Sequence, residues 1–114
     1  VILIGAAFAT LILAIVMAPK PVVTEDSATI VTSAEVEAIV QMHCSSCHSA
    51  MPTDDIFTSA PGGVILDSLD DIKRWAPRIK ARSVDTQNMP MMNKTGMTEA
   101  ERQQLGSWIA AGMK

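Results

Sequence analysis

The sequence has no tyrosine and only two phenylalanines and two tryptophans. A domain of ordinary size fills much of its core with aromatic rings. Here that bulk must come from aliphatic and methionine side chains, or from something bound. There is no excess of positive charge either. The net charge of −3 excludes the basic face of a nucleic-acid binder, so no nucleic-acid partner is expected. Cysteine is nearly absent: two residues, three positions apart. A disulfide-stapled fold needs more of them, spread along the chain. This pair is there for chemistry or for a cofactor. No strand-like alternation and no internal repeat interrupts the sequence, which leaves an all-α reading.

What is present divides 114 residues into three parts, enough for one small domain and not two. Residues 1–18 carry no charge, and Thr10 is their one polar side chain. An apolar run of about 18 residues stands at the threshold for spanning a bilayer. A signal peptide would need a basic start and a small-residue cleavage site, and a buried core helix is the other reading. We read residues 1–19 as a transmembrane helix among membrane lipid. It is ended by Pro19-Lys20-Pro21, because proline cannot continue a helix. Lys20 alone is too little charge to set an orientation. The chain opens on Val1, already inside the apolar run, and so reads as the C-terminal piece of a longer polypeptide. Residues 20–31 are expected to be a linker and residues 32–114 the globular domain.

Within that domain Thr32 and Glu35 fit a capping box, and Val36, Ile39, Val40 and His43 follow at helical spacing. Pro52 and Pro61-Gly62-Gly63 punctuate a loop. Asp67 or Ser68 can start a second helix, which is expected to run through Trp75. Pro77 is expected at the first position of a third, over residues 77–84. Residues 85–96 form a methionine-rich loop. Thr98 and Glu101 make another capping box, before a helix that lines up Leu105, Trp108 and Ile109 and is ended by Gly112.

The chemistry lies in Cys44-Ser45-Ser46-Cys47-His48. This is Cys-x-x-Cys-His, the attachment motif of a c-type haem. Two thiols one helical turn apart can reach two vinyl groups of a porphyrin and add across them as thioethers. His48 then offers its imidazole to the iron. The porphyrin would also supply the missing apolar bulk. A thioredoxin-like pair would sit after a strand and at a helix start. Zinc could draw on His43, Cys44, Cys47 and His48, which are crowded for one tetrahedral ion.

The sixth iron ligand is expected from the methionine loop, where Met89, Met91, Met92 and Met97 compete with the plainer role of filling gaps. Met89 is preferred, since Pro90 stiffens the loop beside it. A haem-ligating histidine donates its other ring N–H to a carbonyl, and the Pro61 carbonyl is the expected acceptor. Gly62 and Gly63 either bring that backbone close or form an ordinary turn. Lys73, Arg74, Arg78, Lys80 and Arg82 could meet haem propionates or an acidic redox partner, or simply be a solvated face. Trp75 is either a propionate donor or core. His43 is expected to be exposed or structural.

The span from the first helix to the end resembles the class I cytochrome c domain, in CSSCH, Pro61-Gly62-Gly63, Met89-Pro90 and the terminal helix. The resemblance implies that first and last helices cross beside the haem edge, with Gly106 permitting their approach. It also implies haem attachment outside the cytoplasm. The stretches MPTDDIFTSAPGGVILDS, WAPRIKAR and NMPMMNKTGMTEAERQQLGSWIAAG are more narrowly similar to the C-terminal cytochrome domain of bacterial membrane-bound urate hydroxylases (urate oxidases). That likeness implies an electron-accepting domain behind an upstream membrane domain of the same polypeptide. It would sit on the periplasmic side of the inner membrane and serve a redox partner of the respiratory chain. The urate-oxidising site would lie upstream. A stand-alone membrane-anchored carrier for a respiratory oxidase shares the same local chemistry. A haem peroxidase or sensor would instead need an open iron position.

Overall fold

The computed structural model describes residues 30–114. The expected transmembrane helix and nearly all of the linker lie outside the described residues. Among the described residues no helix is long and apolar enough to cross a membrane, and no strand forms.

Three α-helices make the framework: α1 (Ser33–His43), α2 (Leu69–Ile79) and α3 (Glu99–Ala110). Each begins with a reciprocal capping box, Thr32 with Glu35, Ser68 with Asp71, and Thr98 with Glu101. In the first, the Glu35 N–H donates to Thr32 Oγ1 at 3.2 Å and the Thr32 N–H donates to the Glu35 carboxylate at 2.7 Å. These bonds hold the Glu35 carboxyl below its ordinary range. Each cap contributes about 1 kcal/mol to its helix. At the far end of α3, Gly112 stands at φ +92° and the Met113 N–H reaches back to the Trp108 carbonyl at 2.9 Å. That is the glycine stop expected at this position.

The core is the meeting of the three helices. Val36 and Val40 of α1 and Leu105 and Trp108 of α3 are almost entirely out of water. Ile72, Ala76 and Ile79 bring the buried stripe of α2, and Leu66 and Met97 enter from the loops. Full burial of each such aliphatic stabilises by roughly 1.5–3 kcal/mol relative to exposure. The Trp108 indole N–H donates to Ser33 Oγ at 3.2 Å, which fastens α3 to the start of α1.

Two expectations change here. The second helix does not stop near Trp75 for Pro77 to begin another; α2 runs through Pro77. Pro77 is exposed, so the missing N–H falls on the watered side of the helix, where it is least damaging. The chain then widens into a π-helical turn, Lys80–Asp85, that packs on α3. Gly106 does not serve the approach of α1 and α3. A Cβ there would meet Val84 Cγ1 of the π-turn at 3.0 Å, and Val84 is the one residue within 4 Å of that point outside the glycine's own surroundings.

Candidate functional site

The hydrogen bonding of α1 carries on into the cysteine motif. The Cys44 N–H donates to the Val40 carbonyl at 2.8 Å, and the Cys44 carbonyl accepts from the Cys47 and His48 N–H groups at 3.2 and 2.8 Å. A further turn thus closes between Cys44 and His48, and residues four apart on such a turn share a face. His48 is then fastened to the returning chain twice. Its carbonyl accepts the Leu66 N–H at 2.8 Å, and its Nδ1 lies 2.9 Å from the Val64 carbonyl. A carbonyl only accepts, so Nδ1 carries a proton, and in the neutral ring the lone pair is then on Nε2.

The acceptor is Val64, not Pro61 as expected. The Pro61 carbonyl is occupied by the Val64 N–H at 3.2 Å, closing the 3₁₀ turn Pro61–Gly63. That turn carries the chain three residues on before it presents a free carbonyl to the ring. Gly62 and Gly63 have φ of +64° and +70°, and a Cβ on Gly63 would meet nothing within 4 Å. Their role is the ordinary turn; conformation, not close approach, requires glycine.

Two adjoining cavities, of about 290 and 60 Å³, share Cys44, His48, Pro61 and Met89 as walls. The larger is finished by apolar groups, Val64, Leu66, Trp75 and Ile79, with Arg78 and Arg82 beside them. The smaller is finished by Cys47, Phe57, Pro90, Met91 and Lys94, among others. The four candidate methionines separate cleanly. Met89 faces both cavities with His48; Met91 lines the smaller alone. Met92 is 87% exposed and Met97 is buried in the helical core. The Met89 backbone is fixed at both ends, its N–H donating to the Arg82 carbonyl at 3.0 Å and its carbonyl accepting from Arg102 at 2.9 Å.

Burial, and then the neighbouring Cys47, pushes the Cys44 thiol up to about 12; the Cys47 thiol is also raised, chiefly by burial. Both therefore rest as thiols, whereas a thioredoxin-like pair needs a thiol that ionises easily. His43 is unavailable as a zinc ligand. Its Nε2 lies 2.7 Å from Glu101 Oε2 and its Nδ1 lies 2.9 Å from Thr95 Oγ1. Burial pushes the Glu101 carboxyl up, but hydrogen bonds from Thr98 and His43 overcome this and hold it below the usual range. Among the described residues no cluster of three or more His, Cys, Asp and Glu is placed to hold a metal ion. His43 is thus buried and structural, one of the two roles expected.

The basic stretch divides. Lys73, Arg74 and Lys80 are exposed, and Lys80 pairs with Asp85 at 2.9 Å. Arg78 and Arg82 border the larger cavity, and the Arg78 guanidinium lies over the Trp75 ring at 5.6 Å. Trp75 is half-buried, both packed on the core and lining that cavity.

Three further contributors were not foreseen. Val64 carries no side-chain signal, since its carbonyl does the work. Lys94, on the wall of the smaller cavity, bridges to Asp54 at 2.6 Å and so joins the methionine loop to the loop after His48. That Lys94 bond, with the N–H groups of Phe57 and Ile56, holds the Asp54 carboxyl well below the usual carboxylate range. Arg102 is buried on α3 and reaches the Met89 carbonyl. Its place three residues before Leu105, on the inward stripe, was the available sign.

No family model, curated protein or solved structure matches the chain at a significant level. The chemistry of the donor set does fit one group. Two thiols a turn apart, with an imidazole and a thioether on the walls of the two adjoining cavities, form a donor set that could hold a c-type haem.

Proposed function

We propose that residues 32–114 are a class I cytochrome c-like domain that relays single electrons through covalently attached haem c. The observation that carries this reading is the convergence of Cys44, His48 and Met89 on both cavities, with His48 Nδ1 already committed to Val64. When bound, the haem iron would supply the one-electron couple. Cys44 and Cys47 would each add S–H across a vinyl double bond, forming one C–S and one C–H bond and releasing nothing. His48 would hold the iron through Nε2, and Met89 through its sulfur. The Val64 carbonyl keeps the imidazole from rotating and raises its basicity. The apolar walls limit water, and a thioether ligand raises the potential. Arg78 and Arg82, beside the larger cavity, are suited to carboxylates at its rim.

The likeness to urate hydroxylases supports a setting for this chemistry. The domain would accept electrons from an upstream membrane domain of the same polypeptide, at the periplasmic face of a bacterial inner membrane. It would pass them to a partner protein of the respiratory chain.

The test is an optical spectrum of the chain matured with haem, wild type beside Met89→Ala. A six-coordinate low-spin wild type that becomes high-spin in the variant supports the relay with Met89 as ligand. A wild type already high-spin sinks it in favour of a peroxidase or sensor. A variant indistinguishable from wild type moves the ligand to Met91 or Met92.

A further inference from the structure

Arg102 is unlike the other cations of the described domain. It is 5% exposed, and among the described residues no carboxylate lies within ion-pair distance of it. Its partners are neutral oxygens. Nη1 donates to the Ser83 carbonyl at 2.6 Å and to the Met89 carbonyl at 2.9 Å, and Nη2 reaches Asn93 Oδ1 at 3.5 Å. Burying a cation without a counter-charge is unfavourable, and an aliphatic side chain here would pack the core without that penalty. What the aliphatic could not do is join three separate segments. Ser83 lies within the π-turn, Met89 follows that turn, and Asn93 closes the 3₁₀ turn Met91–Asn93. A planar fork with five donors spans such a set, and a single ammonium does not. Asn93 extends the tie, because it also holds the Met97 N–H and carbonyl at 2.9 and 3.1 Å.

We propose that Arg102 is a positioning residue for Met89: by pinning the Met89 carbonyl to α3 it keeps the thioether on the wall it shares with His48. This rests on the haem reading above. A thioether is a soft neutral donor and prefers the less charged iron. The anchor therefore matters most in the oxidised domain, where the sulfur–iron bond is weakest.

The test uses the full chain matured with haem, as wild type, Arg102→Gln, Arg102→Lys and Met89→Ala. Imidazole is titrated into the oxidised and reduced forms, with the sulfur-to-iron absorption band and the far-ultraviolet circular dichroism recorded alongside. Both Arg102 variants are expected to keep covalent haem and helix content. Oxidised Arg102→Gln is expected to bind imidazole at least tenfold more tightly than wild type, Arg102→Lys less so, while the reduced forms stay close to wild type. If Arg102→Gln does not accumulate as folded haem protein, Arg102→Lys decides by the same comparison. Wild-type imidazole affinity in the oxidised variants overturns the proposal. So does equal weakening of both redox states with lost helix content, which is the mark of a merely structural residue. A Met89→Ala protein that matches wild type instead overturns the ligand assignment, independently of any Arg102 variant.

Discussion

In the helical core, Val36, Val40, Leu105 and Trp108 meet as apolar surfaces and their helices begin on caps made within four residues. In the loops that wall the cavities, the contacts are polar and reach far along the chain. The Ala50 N–H donates to Asp67 at 2.9 Å, Lys94 reaches Asp54, and Arg102 reaches the Met89 carbonyl. The first region is held by area removed from water, which is insensitive to small displacements. The second is held by directional bonds, which fix where a side chain stands but contribute only about 1 kcal/mol each. Damage to the core should therefore appear as lost stability, and damage to the loops as a lost site.

The largest expected effect tests that separation directly. Trp108→Ala should lower the unfolding free energy by about 3–5 kcal/mol, because the vacated space cannot fully collapse. Met89→Ala removes a half-buried side chain at a cavity wall and should stay within about 1 kcal/mol of wild type in the protein without haem. Urea unfolding of both, followed by circular dichroism, is the measurement. A Met89→Ala loss as large as that of Trp108→Ala would mean that the loops share the core's cooperativity, and the comparison would fail.

His43 sits on the border between the regions. It ends α1, is 4% exposed, and ties Thr95 and Glu101 together. His43→Leu should cost about 1–3 kcal/mol, since two bonds are lost and their partners are left facing an aliphatic group. A double-mutant cycle with Glu101→Gln should return a coupling of about 0.5–3 kcal/mol. Zero coupling would mean that His43 acts through packing and its Thr95 bond, not through Glu101.

The same division explains how much could be read in advance. The spacing of Val36, Ile39, Val40 and His43 marks the buried face of α1 residue for residue, and Thr32 and Thr98 announce their helices. Periodicity and caps are local, so sequence displays them. Pro77 misleads because proline favours a helix start, yet on an exposed face it can be accommodated late in a helix that tertiary packing already holds. The π-turn after it has no recognisable period. Cys44, Cys47 and His48 are legible as a motif, and Met89 as a methionine before proline. The Val64 carbonyl and the Arg102 anchor are not, because each depends on two segments meeting in space. A carbonyl three residues from Pro61 looks like any other in the sequence, and only the turn decides which one faces His48.

Smaller effects refine the picture at its edges. Thr98→Ala removes a cap that accepts the Glu101 N–H at 3.2 Å, and should cost about 1 kcal/mol. It also frees Glu101, so part of the loss should vanish in a His43→Leu background. Thermal unfolding of the two single variants and the double variant would read this. Full additivity would show that the cap and the His43 contact act independently.

The smallest effect lies in the loops and fades in acid. Asp54 is held below the ordinary carboxylate range by Lys94 and by the N–H groups of Phe57 and Ile56. A carboxyl depressed in the folded state contributes its full stability above its unfolded value, about 4, and loses it as the pH falls from there toward the folded value. Asp54→Asn should therefore be less stable than wild type at neutral pH, and the gap should narrow as the pH falls below about 4. Asp67, held low by Ala50 and Ser49, leaves both proteins with some acid sensitivity, so the variant's profile is flatter but not flat. Unfolding midpoints across that range decide it. A gap that stays constant with pH would mean that the Lys94 bridge orders the loop without contributing to folding, and that the loop is held by its backbone bonds alone.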